Sequence, residues 1–586
     1  MKKYLFLFLA ICISQLMALN VSASSLDVVA YHTATDVSDN VYVTGGFCSP
    51  FITFGTFTLT NQTTMPGYYG DMFIVKYNAS GTVQWAGSAG GSKSESGSSI
   101  ATDVLGNVYV TGTFNSPSIT FFGTTSYKIT LYNTGRLGDM FIVKYNANGI
   151  VKWAKKAGGS DEDEGVGIAT DVSGNVYVTG GFWSPSITFG KQTGTITLTN
   201  AGIGNGDMFI VQYDPNGYAV WAKSAGGSGN DYGNSIATDG SGDVYVTGRF
   251  SSSSITFGNT TLYNAGTSSQ DMFVVKYDAS GTVFWATSAG GTGGDLDGGV
   301  AIGAGGDVYV TGSFSSPSIA FGNNITLTNA DNSGYINKVD MFIVKYGTDG
   351  KAVWAKNAVG RSNGWGIATH GSEGSENVFV TGSFNSSSIT FGTTTLKNSG
   401  SADIFIVKYD ASGNVLWAKS AGGTGGDIAW SIATDGSGNA FVTGSFTSTS
   451  ITFGTITLSN TNNCGDMFIA KYDADGNVPW AKCVGGTISN PGHPKSTNEG
   501  INEALTNEIN IYPNPTSGMV ILSTTNSQSP ISRISVFNMI GKEVLIPQFI
   551  AGSSEVTVDL SSQPKGLYIV LIKTGENFYS RKIIVE

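Results

Sequence analysis

The stretch Asp71-Met72-Phe73-Ile74-Val75-Lys76-Tyr77 decides the fold, because close copies of it return six more times along the chain. A tryptophan stands fourteen residues after the first aspartate of every copy, and a second phrase of the form Val-Tyr-Val-Thr-Gly alternates strictly with the first. Copies at intervals of 63–69 residues indicate seven structural units, whereas length alone suggests about four domains. The later copies begin at Asp139, Asp207, Asp271, Asp340, Asp403 and Asp466, and the tryptophans are Trp85, Trp153, Trp221, Trp285, Trp354, Trp417 and Trp480.

Each unit holds several runs typical of β-strands, separated by turns. The runs are rich in Val, Ile, Phe, Tyr and Thr and are bounded by Gly, Asn or Ser. The turn Asp278-Ala279-Ser280-Gly281 predicts a positive φ at its glycine. In the fourth unit the predicted strands are Ser235–Asp239, Asp243–Phe250, Ile255–Leu262, Asp271–Tyr277 and Thr282–Ser288.

The repetition predicts how these units assemble. One small sheet cannot bury both of its faces, so neighbouring units must stack. Seven units without a helical segment predict an all-β fold, a seven-bladed β-propeller over residues 24–488, because a closed ring leaves only short, protected edges. A β-helix is the alternative, but its rungs are much shorter than these units. The units exceed the ~40–45 residues of a simple blade, and the run Ile255–Leu262 predicts the extra material.

Composition and charge limit the classes of partner. The chain has 81 glycines among 586 residues, 12% charged residues and 40% hydrophobic residues. Glycine at twice its usual ~7% and charge at half its usual ~25% favour β-structure with tight turns over a large helical enzyme. The net charge of −11 repels phosphate and anionic lipid, so neither nucleic acid nor a membrane surface is an expected partner.

The first 23 residues have the layout of a secretory signal peptide. Lys2 and Lys3 precede the apolar run Tyr4–Ile13, and Val21-Ser22-Ala23 supplies small residues for cleavage after Ala23. A membrane anchor is the alternative, but ten apolar residues fall well short of the ~20 that span a bilayer. No later segment approaches that length, so we predict no transmembrane span after cleavage.

Three cysteines follow the signal peptide, namely Cys48, Cys464 and Cys483. The last two flank the hairpin that turns at Asp473–Gly476, so a disulfide, if one exists, is predicted between them, with Cys48 as the rival partner. The spacing contains no Cys-x-x-Cys or Cys/His cluster, so we expect no structural zinc and no other metal or cofactor.

The sequence carries no catalytic motif that assigns a catalytic residue. Neither a Ser-His-Asp order nor a phosphate loop is present. The acidic run 161–164 and the pair Asp295 and Asp297 are the best carboxylates for a hydrolase or lyase. Adjacent carboxylates in a glycine-rich loop are more typical of a solvated acidic turn.

A functional residue should break the repeat, and three aromatic residues do so at one position. Trp365 and Trp430 stand two residues before the Ile of Ile-Ala-Thr in units six and seven, and Tyr31 holds the corresponding place in unit one. These units are consecutive in a closed ring, so we predict one aromatic arc near the inner strands and the central opening. The remaining units have Ser98, Val166, Asn234 and Gly298 there.

Flat aromatic faces beside polar loops suit sugar rings, so the arc predicts a ligand-binding site. Asp427, and Asp295 in a neighbouring connection, are predicted to accept hydrogen bonds from sugar hydroxyls. The alternative is that the aromatic side chains only fill gaps between blades.

The last 80 residues form a different domain. Residues 489–506 include Pro491 and Pro494 and predict a linker. From Asn507 onward glycine becomes scarce and the charges balance. Short strand runs there predict a small C-terminal β-sandwich over residues 507–586. The predicted strands are Val520–Ser523, Ile534–Asn538, Ser554–Leu560 and Leu567–Lys573.

Both parts resemble known families. The repeated unit Asp-Met-Phe-Ile-Val-Lys-Tyr-Asp-x-x-Gly-x-Val-x-Trp, followed by Ile-Ala-Thr-Asp-x-x-Gly-Asn-Val-Tyr-Val-Thr-Gly, resembles the bacterial β-propeller repeat called SBBP over residues 27–488. This resemblance implies a propeller in a secreted or surface setting. The family has no defined catalytic residues, so it implies none here.

The C-terminal segment resembles the type A sorting domain of the type IX (Por) secretion system. That resemblance implies periplasmic entry, transport through the outer membrane by the type IX machinery, and release or attachment to surface lipopolysaccharide. The alternative is an ordinary adhesive β-sandwich. The matching residues include Pro513, Asn514, Pro515, Gly518, Gly541, Gly566, Tyr568 and Lys582.

The sequence thus predicts an exported binding or adhesion module, secreted or attached to the cell surface, whose ligand is a glycan or a protein. A polysaccharide hydrolase or lyase built on the propeller is the alternative enzyme class. A surface scaffold without a small ligand is the third interpretation.

Overall fold

The computed structural model describes residues 27–485 and 509–585, apart from short internal gaps. The predicted signal peptide and linker, together with Cys464, Asn514, Pro515 and Gly541, lie outside the described residues. The chain divides into two compact parts, Met1–Pro491 and Gly492–Glu586. The described part contains no helix that is long and apolar enough to cross a bilayer. The gaps are residues 64–69, 134, 136, 203, 267–268, 331–338, 461–464, 514–515, 525–530, 539–542, 546–554 and 575–576.

The first part is built from seven units of six β-strands each. Unit one comprises β1 (Val28–Thr35), β2 (Val41–Phe47), β3 (Phe51–Phe54), β4 (Phe57–Thr60), β5 (Asp71–Tyr77) and β6 (Val83–Gly90). Unit two comprises β7 (Glu95–Thr102), β8 (Val108–Phe114), β9 (Ser118–Phe122), β10 (Lys128–Tyr132), β11 (Asp139–Tyr145) and β12 (Val151–Ala157). Unit three comprises β13 (Asp163–Thr170), β14 (Val176–Phe182), β15 (Ser186–Gly190), β16 (Thr195–Thr199), β17 (Asp207–Tyr213) and β18 (Ala219–Ala225). Unit four comprises β19 (Asp231–Thr238), β20 (Val244–Phe250), β21 (Ser254–Phe257), β22 (Thr260–Tyr263), β23 (Asp271–Tyr277) and β24 (Val283–Ala289).

The remaining units repeat the same order of strands. Unit five comprises β25 (Asp295–Ile302), β26 (Val308–Phe314), β27 (Ser318–Ala320), β28 (Thr326–Thr328), β29 (Asp340–Tyr346) and β30 (Ala352–Asn357). Unit six comprises β31 (Ser362–His370), β32 (Asn377–Phe384), β33 (Ser388–Phe391), β34 (Thr394–Lys397), β35 (Asp403–Asp410) and β36 (Val415–Ala421). Unit seven comprises β37 (Asp427–Thr434), β38 (Ala440–Phe446), β39 (Ser450–Phe453), β40 (Ile456–Ser459), β41 (Asp466–Tyr472) and β42 (Trp480–Val484).

The first, second, fifth and sixth strands of each unit form a four-stranded antiparallel sheet, as a propeller-like fold requires, and in unit one the hairpin β9-β10 of unit two extends this sheet. In unit four the sheet order is β19-β20-β23-β24, and the other two strands, β21 and β22, form a separate hairpin. The single strand predicted over Ile255–Leu262 is therefore wrong, because the chain reverses at Gly258. The φ of that glycine is 57°, a conformation that glycine adopts most readily.

The inserted hairpins connect neighbouring units. Hairpin strand β9 of unit two pairs with β6, the last strand of unit one, through Ala89 and Phe121. Isolated bridges join later hairpins to the preceding units in the same way, as between Gly158 and Thr188. The extra material in each unit thus adds backbone contacts between neighbours.

The hydrophobic core lies between neighbouring sheets. Second and third strands such as β2 and β5 are buried along nearly their whole length, because both of their faces are covered. Each cluster of buried side chains combines two units, as where Tyr42 of unit one packs with Phe141 of unit two. One cluster combines Phe441 of unit seven with Val28 of unit one.

The repeated tryptophans join each unit to the next one. Trp221 donates its indole N–H to the carbonyl of Ala279 at 3.2 Å, and its ring covers Gly281 in the same turn. A Cβ on that glycine would lie 2.7 Å from the indole, and its φ of 79° also favours glycine. We call this contact the tryptophan latch. The donor and acceptor pairs are Trp85 and Ala147, Trp153 and Pro215, Trp221 and Ala279, Trp285 and Thr348, Trp354 and Ala411, Trp417 and Ala474, and Trp480 and Ala79.

Threonine hydroxyls at the ends of the first strands form a second set of contacts between units. Thr102 donates to the carbonyl of Thr35 at 2.7 Å, and Thr35 donates to the carbonyl of Thr434 in unit seven at 2.7 Å. The series breaks in unit five, where Ile302 has no hydroxyl to donate. Further links of the same kind join Thr170 to Thr102, Thr238 to Thr170, Thr369 to Ile302 and Thr434 to Thr369.

The second part of the chain consists of two antiparallel sheets that share one hydrophobic core. The four strands predicted from the sequence are present. The two edge strands and the short strand after Asn538 were not predicted. The strands are β43 (Ile509–Tyr512), β44 (Met519–Thr524), β45 (Ile531–Asn538), β46 (Glu543–Leu545), β47 (Glu555–Asp559), β48 (Gly566–Thr574) and β49 (Asn577–Val585), with sheet orders β43-β44-β47 and β46-β45-β48-β49.

The tryptophan latch between units seven and one can be compared experimentally with the latch between units three and four. We expect Trp480→Phe and Trp221→Phe to lower the free energy of unfolding equally, because both indoles are half-buried and each loses one hydrogen bond of about 1 kcal/mol. Chemical denaturation of both variants gives the comparison. A destabilised Trp221→Phe beside an unaffected Trp480→Phe would show that the last latch does not form in solution.

Candidate functional site

The predicted aromatic position is a β-bulge in the first strand of each unit. Tyr31, Trp365 and Trp430 are the residues at which β1, β31 and β37 shift register against their second strands. A bulge leaves one residue unpaired and redirects its side chain. The same shift occurs in the other units at Ser98, Val166, Asn234 and Gly298.

Two of the three aromatic side chains are in contact. The ring centroids of Trp365 and Trp430 lie 5.4 Å apart with their planes at 47°, and both side chains are half-buried. Their indole N–H groups donate to Ser383 Oγ at 3.5 Å and Ser445 Oγ at 3.3 Å. These serines belong to the second strands of the same units.

Tyr31 occupies the equivalent place in unit one. Its ring approaches Gly46, which holds the position of the two serines in its unit, and a Cβ on that glycine would lie 3.9 Å from the ring. We name Tyr31, Trp365 and Trp430 the aromatic patch. First strand β37 contacts both β31 and β1, so the three residues stand on consecutive strands.

Asp427 and Asp295 do not belong to this patch. Both are fully buried at the starts of β37 and β25. Asp427 accepts a hydrogen bond from Ser448 Oγ and Asp295 accepts one from Ser316 Oγ, each at 2.7 Å. The same bond recurs in unit four at Asp231, which marks it as part of the repeated frame. We therefore omit both aspartates from the site proposed below.

Each of these aspartates lies near a buried aspartate of the preceding unit. Asp271, which begins the third strand of unit four, and Asp295 both lie within reach of the backbone N–H of Gly291. Burial raises the pKa of Asp295 to about 7, and the charge of Asp271 adds to the shift. Burial raises the pKa of Asp271 to about 6. Such pairs favour the protonated form, because removing two like charges from water is costly.

The solvated acidic turn expected at residues 161–164 is wrong for half of that run. Asp161 is exposed, but Asp163 and Glu164 are buried, with exposed fractions of 0% and 2%. Asp163 begins β13 and accepts a hydrogen bond from Ser184 Oγ, as Asp295 does from its own serine, instead of facing solvent. The repeat position was the signal that could have placed it.

The cysteine prediction lies partly outside the described residues. Cys48 and Cys483 are half-buried free thiols, and Cys464 is not described. The pairing of Cys464 with Cys483 stays a prediction. Within the described ranges no three His, Cys, Asp or Glu side chains are grouped so that they could hold a metal ion.

One cavity lies where the threonine series breaks and was not predicted. It lies between units four and five, has a volume of about 560 Å³, and is lined by Thr238, Asp239, Ile302 and Gly303 among others. Gly303 stands where most units have an aspartate that closes the turn, as Asp36 does by accepting from the N–H groups of Ser38 and Asn40. None of the aromatic patch lines this cavity.

The predicted sorting residues that the structure describes lie within the strands of this domain or next to them. Gly566 begins β48 with a φ of 151°, and Gly518 precedes β44 with a φ of 142°. The Tyr568 hydroxyl donates to the carbonyl of Pro564 at 2.6 Å. Pro513 is exposed just after β43, and Lys582 lies in β49.

Comparison with known families identifies this domain. Residues 510–586 match the secretion system C-terminal sorting domain. The chain carries a type IX sorting domain. This domain directs secretion through the type IX system to the cell surface or the extracellular space, and it implies contact with that machinery. Residues 220–249, from β18 to β20, match the β-propeller repeat family.

Sequence relatives match the chain over part of their own length. An uncharacterised WD repeat-containing protein of Acanthamoeba polyphaga mimivirus is 26% identical over 518 residues, which cover 78% of this chain and 37% of that protein. The regulatory protein FlaEY of Caulobacter vibrioides is 33% identical over 110 residues, covering 19% of this chain and 12% of that protein. The chain therefore spans well under half the length of these curated relatives.

Solved structures resemble the chain only distantly. A fungal alcohol oxidase of the AA5 family in complex with copper is 11% identical with a TM-score of 0.32, covering 96% of this chain and 97% of that one. A glycoside hydrolase is 9% identical with a TM-score of 0.22, covering 71% of this chain and 94% of that one.

The buried carboxyl groups predict an unusual pH dependence of stability. Their pKa values are raised in the folded state, so between about pH 4 and 7 the native protein holds protons that the unfolded chain has lost. The free energy of unfolding therefore falls as the pH rises through this window. The groups are Asp71, Asp163 and Asp295, with pKa values of about 7, Glu95 at about 8, and Asp231, Asp271 and Asp427 at about 6.

We expect Tm to be at least about 5 °C higher at pH 5 than at pH 8, measured by calorimetry. His32 acts in the opposite direction, because burial lowers its pKa to about 4, but it is one group against seven. The variant Asp231→Asn should show a smaller difference between the two pH values. A Tm that rises from pH 5 to pH 8 contradicts this account.

The sorting domain predicts the fate of a truncated chain. Removing residues 507–586 in the native host should leave folded propeller-like units in the periplasm and none on the surface, because the two compact parts of the chain have separate cores. Cell fractionation with surface proteolysis measures this, and the full-length chain is the control. Normal surface delivery of the truncated chain would refute the role of the domain.

Proposed function

We propose that the chain is an exported binding module, in which seven blades close into a propeller and the aromatic patch binds a surface or environmental glycan. Secretion by the type IX system delivers the module outside the cell, where polysaccharide is abundant. The observation that carries the proposal is the contact of Trp365 with Trp430 on neighbouring first strands.

Contacts between units seven and one support the closed ring. Trp480 donates to the carbonyl of Ala79 at 3.1 Å, in the geometry of the internal latches. Thr35 bonds to Thr434 at 2.7 Å, and the backbone N–H of Thr33 donates to Ser431 Oγ at 3.2 Å. The tryptophan contact involves the last strand of unit seven, and the other two contacts join the first strands of units one and seven. Together they connect the first unit to the last.

The chemistry of the patch favours a sugar ring over a flat aromatic or a charged ligand. Half-buried indoles offer apolar faces for the C–H groups of a sugar ring, and the buried serines that accept their N–H groups hold the two rings in place. The indole N–H groups of Trp365 and Trp430 donate to neutral serine hydroxyls. Both indoles are only half-buried, so part of each ring is exposed to solvent.

Replacing the tryptophans tests the site. We expect Trp365→Ala and Trp430→Ala each to weaken binding to the best ligand of a polysaccharide panel by about tenfold or more, since a stacked aromatic ring contributes about 1–3 kcal/mol. Affinity and Tm are measured together on the full chain. Trp221→Phe serves as the control, because it alters a tryptophan latch in unit three, whereas the patch belongs to units one, six and seven.

Loss of affinity with an unchanged Tm supports the site. Loss of Tm with affinity retained in the folded fraction means that the two tryptophans only pack between blades, and the proposed function is then wrong.

A further inference from the structure

A second group of residues breaks the repeat on the first and second strands of units three to five. Arg249 in β20 stands where every other unit has a small side chain, from Gly46 in unit one to Ser445 in unit seven. Asp297 in β25 replaces the glycine or alanine found at its position in the other units. Glu164 in β13 is the one charged residue at its own position.

These residues lie together with two aromatic rings and an amide. The guanidinium of Arg249 lies 5.3 Å from the ring centroid of Tyr232, and that ring lies 5.2 Å from Trp183. Asn234, the bulge residue of unit four, donates to Asp297 Oδ1 at 2.6 Å. We name Glu164, Trp183, Tyr232, Asn234, Arg249 and Asp297 the polar cluster.

A glycine connects unit three to this group. Gly181 pairs with Glu164 across β14 and β13, and a Cβ at that position would lie 3.0 Å from the ring of Tyr232. The absent side chain lets Tyr232 of unit four pack beside the strand that carries Glu164. The cluster therefore spans the junction of two units and reaches unit five through Asp297.

Three polar atoms of the cluster lack hydrogen-bond partners among the described residues. Arg249 is 5% exposed, and its buried Nε has no hydrogen-bond acceptor. Asp297 is 4% exposed and its Oδ2 accepts no hydrogen bond, and the indole N–H of Trp183 is likewise unpaired. More than nine-tenths of buried polar groups are paired in native proteins, so several unpaired groups side by side favour a bound ligand or ordered water.

The charges are close without forming ion pairs. Among the described residues Arg249 makes no ion pair, yet its charge counteracts the effect of burial, which raises the pKa of both Glu164 and Asp297. The guanidinium is therefore within electrostatic reach of both carboxyl groups. A ligand that reaches these groups must satisfy donors and acceptors at once.

We propose that the polar cluster binds the vicinal hydroxyls of a neutral sugar residue, as a second subsite for the glycan held by the aromatic patch. A sugar hydroxyl can donate to a carboxylate and accept from a guanidinium or an indole N–H. Two neighbouring hydroxyls can therefore satisfy both the unpaired donors and the unpaired acceptor of the cluster. An anion gains little beside two carboxyl groups, and Arg249 repels a cation. The rings of Trp183 and Tyr232 supply apolar faces.

The position in the repeat relates the two subsites. Asn234 of the cluster occupies the same bulge position as Trp365 and Trp430. In the closed ring that we propose, units three to five lie across the opening from units six, seven and one. This inference rests on the proposed glycan-binding function.

The test uses the full chain and calorimetric titration with neutral hexasaccharides of glucose, xylose and mannose, and with hexagalacturonate as the anionic probe. We expect at least one neutral hexasaccharide to bind, and Arg249→Met and Glu164→Gln each to weaken it by about tenfold or more. Glu164→Gln keeps the side-chain shape if Arg249→Met fails to fold. Lys351→Met, on the exposed turn where Lys351 pairs with Asp349, is the matched control.

The outcomes separate this inference from the proposed function. If Trp365→Ala abolishes binding while both cluster variants bind normally, the cluster holds only water and this inference fails alone. Preferential binding of hexagalacturonate that depends on Arg249 also overturns it. If no hexasaccharide binds the wild-type chain, both the function and the subsite are refuted.

Discussion

The tryptophan latch is the contact on which the rest of the first part depends. A sheet of four short strands has too little core to stand alone, so each unit is stabilised by its neighbours. The indole meets this need in two ways, because its ring covers an apolar gap and its N–H satisfies a carbonyl in the next turn. The turn must contain glycine at Gly281 and its equivalents, both for its φ and for the space that the ring occupies.

Most of the architecture could be predicted from the sequence because it repeats. Strand Asp271–Tyr277 and the turn at Gly281 were placed correctly, since seven copies average out local ambiguity. The hairpin at Gly258 was missed, because four-residue strands around a single glycine read as one continuous run. The burial of Glu164 was also missed, since an acidic run gives no local signal of the sheet that covers it.

The sequence predicted a site residue where its amino-acid type differs conspicuously from the equivalent residues of the other units. It did not predict a residue that is distinguished mainly by its neighbours in the fold. Trp365 and Trp430 were found because tryptophan is conspicuous at a variable position, and the structure brings their rings together. Arg249 escaped notice because the carboxyl groups near it, Glu164 and Asp297, come from other units and only the fold assembles them. Comparison of equivalent positions among the seven units therefore identifies both the aromatic patch and the polar cluster.

The most direct test of this account is a crystal structure of the chain soaked with the neutral hexasaccharide that binds it most tightly. We predict difference density for a sugar ring against Trp365 and Trp430, with further density extending toward Arg249. Density confined to another place, such as the cavity at Ile302, would contradict the account, as would aromatic side chains sealed between the sheets and out of reach of any ligand.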